Sequence, residues 1–266
     1  MKFNILNKSL VFILSTTLVG ASISSCKKGL PNPTSDPTEE AYVSVHRFTL
    51  LSGTSDSVFV NNNKLALGGS AVALAANGSL LGNFIGVNPG SVSVALRATS
   101  AATNYVSRTV SVSNATATSF FGFDTLTSSG TARMLVLKTD MTAAAAGTSN
   151  VRLLHFSPNA GNVNVTLART ANQFSLAVAD TVRLTNVPYI GASANPDETA
   201  LSAFRNIPEG TYTLTIVSGT TTLVNNAAVT FREGKNYSLV ARGFTSARAS
   251  IPTGQTFGAT LLLHNP

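Results

Sequence analysis

The sequence predicts an all-β fold, a sandwich or a barrel, repeated twice along the chain behind an export signal. Three observations carry this. From residue 41 onward apolar residues alternate with polar ones, the period of a half-buried strand. Turn signals such as Asn88-Pro89-Gly90, Ser128-Ser129-Gly130, Pro208-Glu209-Gly210, Ser218-Gly219 and Arg232-Glu233-Gly234-Lys235 punctuate the runs. The pattern of the first half then recurs in the second. Composition agrees: 266 residues suit two domains, and 44% hydrophobic against 11% charged excludes a disordered chain. A lone Cys excludes an intramolecular disulfide framework and a multi-Cys zinc cluster.

Residues 1–25 read as a signal peptide. Lys2 and Lys8 supply a positive start without an acid, and an apolar run follows from Leu10 to Ile23. About 14 helical residues span about 21 Å, short of the roughly 30 Å hydrocarbon core, so a spanning anchor is disfavoured. Ile23-Ser24-Ser25-Cys26 resembles a bacterial lipobox, an aliphatic residue and two small residues before Cys. The resemblance implies cleavage before Cys26, a thioether to diacylglycerol and an acylated amino group, which together exceed the two signals needed for stable anchoring. A soluble secreted protein cut near Ser25 is the alternative.

Residues 26–40 hold Cys26 and then Pro31, Pro33 and Pro37 among small and polar residues, which is a flexible tether. Fully extended it reaches about 45 Å. The motif and composition resemble lipoproteins of the Bacteroidota, which implies a lipid anchor in the cell envelope, at the outer membrane. Lys27 and Lys28 follow Cys26 where an acidic export run would stand, so the leaflet face is open. Loss of Lys2 and Lys8 lowers the net charge from +7 to +5. The remaining bases are scattered single Arg residues, a pattern that argues against nucleic acid as a partner.

The strand runs start at Tyr42-Val43-Ser44-Val45-His46-Arg47-Phe48. Ser91 to Arg97 is cleaner, with Val92, Val94 and Leu96 on one face. Val106, Val110 and Val112 follow, and later runs are Asn162–Leu167, Tyr212–Val217 and Tyr237–Val240. Residues 65–85 are rich in Ala and Leu, but Gly68, Gly69, Gly78 and Gly82 forbid a long helix. Val43–Phe48 parallels Val151–Phe156, Asn88–Val94 parallels Ile207–Leu214, Phe120–Phe123 parallels Tyr237–Phe244, and Met134–Leu137 parallels Leu261–Leu263. The expected domains are 41–140 and 150–266, joined near Thr142–Thr148. On this reading His46 and His155 hold equivalent positions in separate domains, so a shared metal site is not expected.

Residues 135–166 carry a family resemblance. Val151, Arg152, His155, Ser157, Pro158, Asn159, Ala160, Val163 and Val165 match the junction between tandem copies in the domain of unknown function 4397 family, and Pro208-Glu209-Gly210-Thr211-Tyr212 matches its turn into a strand. The second copy fits well. In the first, Thr49-Leu50-Leu51-Ser52-Gly53 replaces the Ser-Pro-Asn-Ala turn. The resemblance implies an immunoglobulin-like sandwich in an exported envelope protein, and no activity. In Ser157-Pro158-Asn159-Ala160, Pro presets φ and Asn tolerates a left-handed turn. His155, where a strand enters that turn, reads as a structural imidazole bonded to loop backbone.

No catalytic constellation emerges. His46, His155 and His264 are the three imidazoles, without a Gly-x-Ser-x-Gly elbow, a metalloprotease helix or a phosphate loop. Asp197, Glu198, Glu209 and Glu233 sit in turn contexts rather than as a carboxylate pair. The chain is therefore expected to be no enzyme and to need no cofactor or metal. Asp-Ser/Thr-aliphatic sites at Ser57, Thr125 and Thr181 resemble the O-glycosylation motif of Bacteroidota envelope proteins, although the same pattern also opens strands. The expected role is a binding or adhesion module for protein or glycan. An insertion from Val187 to Ala203, with Tyr189, Asn195 and Asp197, is the expected contact loop. A structural or assembly component is the alternative, and a glycan-directed hydrolase is third.

Overall fold

The computed structural model describes residues 40–51, 55–67, 69–75, 84–126, 132–246, 249–252 and 254–265. The signal segment, Cys26 and the tether to residue 39 lie outside the described residues. The first half carries β1 (Ala41–Arg47), β2 (Ser55–Val60), β3 (Asn63–Lys64), β4 (Ala66–Leu67), β5 (Ser70–Ala71), β6 (Ala73–Ala75), β7 (Ile85–Val87), β8 (Gly90–Ala98), β9 (Val106–Val112), β10 (Ala117–Phe123) and β11 (Arg133–Thr139). The second carries β12 (Thr148–His155), β13 (Val163–Ala171), β14 (Ala177–Val187), the short helix α1 (Glu198–Ser202), β15 (Arg205–Pro208), β16 (Gly210–Ser218), β17 (Thr221–Phe231), β18 (Asn236–Arg242) and β19 (Gly258–Leu263). The protein is an all-β sandwich fold.

The strand order repeats. Sheet β11-β10-β1-β7 of the first half corresponds to β19-β18-β12-β15 of the second, and β3-β2-β8-β9 corresponds to β14-β13-β16-β17. In each half the first strand pairs in parallel with a late one, β1 with β10 and β12 with β18, and all other named ladders are antiparallel. Gly90 and Gly210, at equivalent strand starts, both take positive φ, 116° and 138°. Just after the second, Tyr212 donates to the Pro208 carbonyl at 2.7 Å, which pins the strand to its own turn.

Three apolar cores bind these sheets into four layers. Val43, Val45, Val92, Val94, Leu96 and Phe120 fill the first sandwich. Val163, Val165, Leu214, Ile216, Tyr237 and Leu239 belong to the core of the second. A third core lies between the halves, where Phe48, Phe121, Phe123, Leu135 and Leu137 meet Leu154, Phe156, Val240 and Leu262. The two inner sheets are thus covered on both faces. β10 is buried at every position, and β18 at all but its last. A strand covered on both faces reads as a continuous apolar run, which is what Phe120-Phe121-Gly122-Phe123 is. Gly122 stands where a β-carbon would strike Leu96 of the facing sheet.

Register corrects one reading of the repeat. Phe48 N–H donates to the Gly122 carbonyl and Phe156 N–H to the Ala241 carbonyl, each at 2.7 Å. Phe48 therefore matches Phe156, Arg47 matches His155, and His46 matches Leu154. His46 and His155 are offset by one residue and so face opposite sides of their sheets. The ring of His46 instead lies 6.2 Å from that of His264, a residue of the other half.

The two halves point the same way. Thr139 sits in the row Tyr42–Ala117–Thr139, and its hydroxyl accepts from Arg152 in β12. The Asp140 carbonyl accepts from Asn236, which pairs with Asn150. One end of the stack therefore gathers Glu40, the join at 140–147 and the turns at 172–176 and 232–235, the last two linked by Gln173 donating to Glu233. The other end gathers Asp124, the turn at 157–162 and the segment 188–203. Nine-residue β13 puts about 26 Å between these ends.

Candidate functional site

Two groups of polar residues emerge from this arrangement. The first is buried between the inner sheets. Ser44 donates to Ser119 at 2.9 Å, and Ser119 bonds Thr139 at 2.8 Å. Because the Ser44 hydroxyl proton is spent on Ser119, the 3.0 Å contact with His46 is a donation from Nε2–H of that ring. From the other half, Arg152 donates to Ser238 Oγ (2.7 Å), Thr139 Oγ1 (3.1 Å) and the Lys138 carbonyl (3.1 Å). Ser238 Oγ–H in turn donates to His264 Nε2 at 2.7 Å. The register makes Ser44 equivalent to Arg152, Ser119 to Ser238, and Thr139 to His264. One cation and one imidazole in the second half thus meet hydroxyls at the matching places of the first.

Among the described residues Arg152 has no carboxylate partner. Its guanidinium lies 4.8 Å from the Phe204 ring centroid and 5.7 Å from that of Phe121. Burial lowers its pKa to about 9, so it stays charged at neutral pH. Burial also pushes His46 down to about 3 and His264 to about 2, with the Arg152 charge acting in the same direction. Both rings are neutral and closed to solvent. The network organises the core, since a reacting substrate has no access to it.

The second group forms the end opposite Glu40. Asp124 follows β10 with φ 75° and accepts from Tyr189 OH at 2.6 Å and from Arg133 Nε at 2.9 Å. Arg133 also donates to the carbonyls of Gly191 and Ser193. Glu198 of α1 accepts from Val136 N–H at 3.0 Å and pairs with Arg108. Ile190 enters the core between the halves. The segment expected to be a contact loop is therefore clamped onto the first half. Tyr189 points inward, Asp197 caps α1 by accepting from Thr199 and Ala200 N–H, and Asn195 stays exposed. Burial and the Asp124 carboxylate hold the Tyr189 hydroxyl far above its usual range.

Beneath this segment lies a cavity of about 450 Å³, walled mainly by Leu153, Val187, Pro188, Ile190 and Leu201. His155 and Tyr189 edge it. His155 Nδ1 accepts from Ser157 N–H, and Nε2–H donates to the Gly161 carbonyl at 2.7 Å, so neither nitrogen is free to act as a base. Burial lowers its pKa. Asn159 Oδ1 accepts from Thr245 N–H, fixing the Ser157-Pro158-Asn159-Ala160 turn to the loop after β18. Ser157 is fully buried and Pro158 half-buried in that turn.

The Asp-Ser/Thr residues separate by exposure. Ser57 is buried in β2, Thr125 is half-buried beside its bridge partner Leu50, and Thr181 stands exposed on the edge strand β14. Among the described residues no group of three His, Cys, Asp or Glu forms a metal cluster, and no helix is long and apolar enough to cross a membrane. Sequence reasoning missed the Arg152–His264 network and the Asp124–Arg133 clamp. The signal for the first was the loss of alternation in Phe120–Phe123 and Met134–Leu137, which marks a second covered face.

A family model described as Domain of unknown function (DUF4397) matches residues 41–166. The match takes the whole first half and runs on through β12 into β13, so it covers the copy whose turn is altered as well as the junction. No curated protein matches the chain. Among solved structures, the chain resembles a proposed cell adhesion protein from Bacteroides ovatus (12% identity over 84% of this chain and 94% of that one, TM-score 0.22). A leucine-rich repeat protein from Bacteroides thetaiotaomicron matches at 15% identity over 82% of this chain and 27% of that one, TM-score 0.19. A proposed cell adhesion protein from Bacteroides eggerthii matches at 11% identity over 86% and 96%, TM-score 0.18.

Proposed function

We propose, for a chain that belongs to the DUF4397 family through residues 41–166, that it is a non-catalytic lipoprotein of the bacterial cell envelope whose distal end makes adhesive contacts with protein or glycan. Cys26 is its lipid anchor at the outer membrane, and the tether enters the fold at Glu40. The observation that carries this reading is the construction of the opposite end. Asp124 and Arg133 of the first half hold Tyr189 and the 188–203 segment in place there, and that segment lines an apolar cavity with other residues of the second half. A surface preorganised in this way loses little freedom on binding. The non-catalytic part is supported by the engagement of both His155 nitrogens and by the burial of His46 and His264.

The test begins with protease shaving of intact cells carrying a tagged chain, beside Cys26→Ala. Loss of the tag from intact cells, with the mutant no longer cell-associated, fits a surface adhesin. Glycan and host-cell binding are then compared between the parent and Ala200→Arg, which fills the cavity. Binding unaffected by Ala200→Arg removes the cavity from the contact surface. A tag that survives until the outer membrane is broken excludes adhesion.

A second reading, a rigid spacer in envelope assembly, is favoured by one observation. The core between the halves is continuous and leaves them no hinge. Periplasmic protection in the shaving experiment would select it.

A further inference from the structure

The described residues leave five large apolar side chains exposed, and four of them, Met141, Phe174, Leu176 and Leu263, lie at the end where the tether enters. Phe174 and Leu176 are the most exposed, at 74% and 62%. They sit on the turn between β13 and β14, and that turn is held in shape. Asn172 Oδ1 accepts from the N–H groups of both residues at 3.0 Å, and Gln173 is fixed to Glu233. Leu263 closes β19 opposite Tyr237, and Met141 lies between Asp140 and Thr142, whose carbonyls accept from Asn236. A rigid turn holding a Phe and a Leu in solvent costs hydration free energy unless an apolar phase receives them.

We infer that this end of the fold rests on the bilayer, with Phe174 and Leu176 entering the boundary between headgroups and acyl chains. The inference builds on the lipid-anchor reading of Cys26. The chain between Cys26 and Glu40 reaches at most about 45 Å and joins the fold at this same end. An anchored molecule therefore holds this face within reach of the membrane, and insertion of the apolar turn would set the 188–203 end about 26 Å farther out. Nearby charge is mixed, with Lys138, Arg232 and Lys235 against Asp140 and Glu233, so the apolar turn decides the contact. Insertion to roughly 5–10 Å is the depth expected of apolar groups at a membrane interface. In this pose the fold cannot lie on its side, and the distal cavity is presented outward.

The chain has no Trp, so Phe174→Trp supplies the sole indole signal. The acylated full chain carrying this substitution is reconstituted into phosphatidylethanolamine–phosphatidylglycerol vesicles. The expected result is a blue-shifted emission, roughly halved when the lipids carry bromine high on their acyl chains, as interfacial depth requires. Asn195→Trp, at the opposite end, keeps a water-like, unquenched emission. Vesicles that float with the protein while Phe174→Trp stays water-like and unquenched overturn the inference, leave the anchor standing and assign the patch to a protein partner. A chain whose intact mass shows no acyl groups, and which does not float, overturns the anchor and this inference with it.

Discussion

Phe48 and Phe156 occupy the same position in the two halves, and they touch, with ring centroids 5.5 Å apart. Contact between equivalent residues is the mark of a two-fold relationship, the geometry of an isologous dimer interface. Here it occurs within one chain. Phe84 and Phe204, equivalent by the β7 and β15 registers, likewise flank the buried network, at 6.3 and 6.1 Å from His264. Phe48→Ala and Phe156→Ala should each cost about 3–5 kcal/mol. The double mutant should fall short of the sum by about 1 kcal/mol, because the pair shares one contact. Urea unfolding of the four species measures this, and full additivity would show that the rings do not couple.

Stability should fall on mild acidification. His46 and His264 titrate near 6.5 when unfolded and near 3 and 2 when folded, because burial disfavours their charged forms. Between those values the unfolded chain binds more protons. The contribution is complete above pH 6.5 and is lost as pH drops toward 3, at about 1.4 kcal/mol per pH unit for each ring. Denaturant midpoints at pH 7 and pH 5 read the effect, and His46→Asn with His264→Asn should flatten it. Equal midpoints at both pH values in the parent would show that the rings are hydrated.

Arg152 is a buried cation whose partners are neutral, so its removal orphans no anion. Arg152→Met keeps the volume between Phe121 and Phe204 and should cost less than about 2 kcal/mol. Arg152→Ala, which opens a cavity, should cost more. An equal loss for both, seen by thermal unfolding, would make the hydrogen bonds rather than the packing the larger contribution.

Removing the Tyr189 hydroxyl should loosen the distal segment more than the whole fold. Tyr189→Phe loses one bond to a carboxylate, about 1.5–3 kcal/mol locally. Asp124→Ala, which frees Tyr189 and Arg133 together, should lose more. Amide exchange within 188–203 should accelerate in both variants while β16 and β18 stay protected. Unchanged exchange in that segment would mean the clamp is redundant.

Gly122 and Gly210 should resist replacement for different reasons. Gly122→Ala pushes a methyl group into Leu96 and should cost about 1–3 kcal/mol through overpacking. Gly210→Ala adds strain at φ 138° and a clash with the Ala171 carbonyl. Pairing Gly122→Ala with Leu96→Val should recover part of the loss, whereas no change in the apolar core should rescue Gly210→Ala. Melting temperatures distinguish the two cases.

By itself the sequence determined the strands, their turns and the repeat. These rest on local rules: period-two burial, Gly where φ is positive as at Gly90 and Gly210, and a proline-rich segment between Cys26 and Glu40 that has no apolar face to bury. It also carried the His155 turn, whose partners Ser157 and Gly161 are near in sequence. Tertiary structure alone decided what the outer faces of the inner sheets would meet. Ser44 and His46 alternate in β1 like solvent-facing residues, and although the apolar runs of β10 and β11 mark a second covered face, nothing local says that the covering sheet offers Arg152 and His264. The same holds for Tyr189, whose partner Asp124 lies in the other half. Its direction depends on how the halves pack, through contacts between residues far apart in sequence that no local pattern encodes.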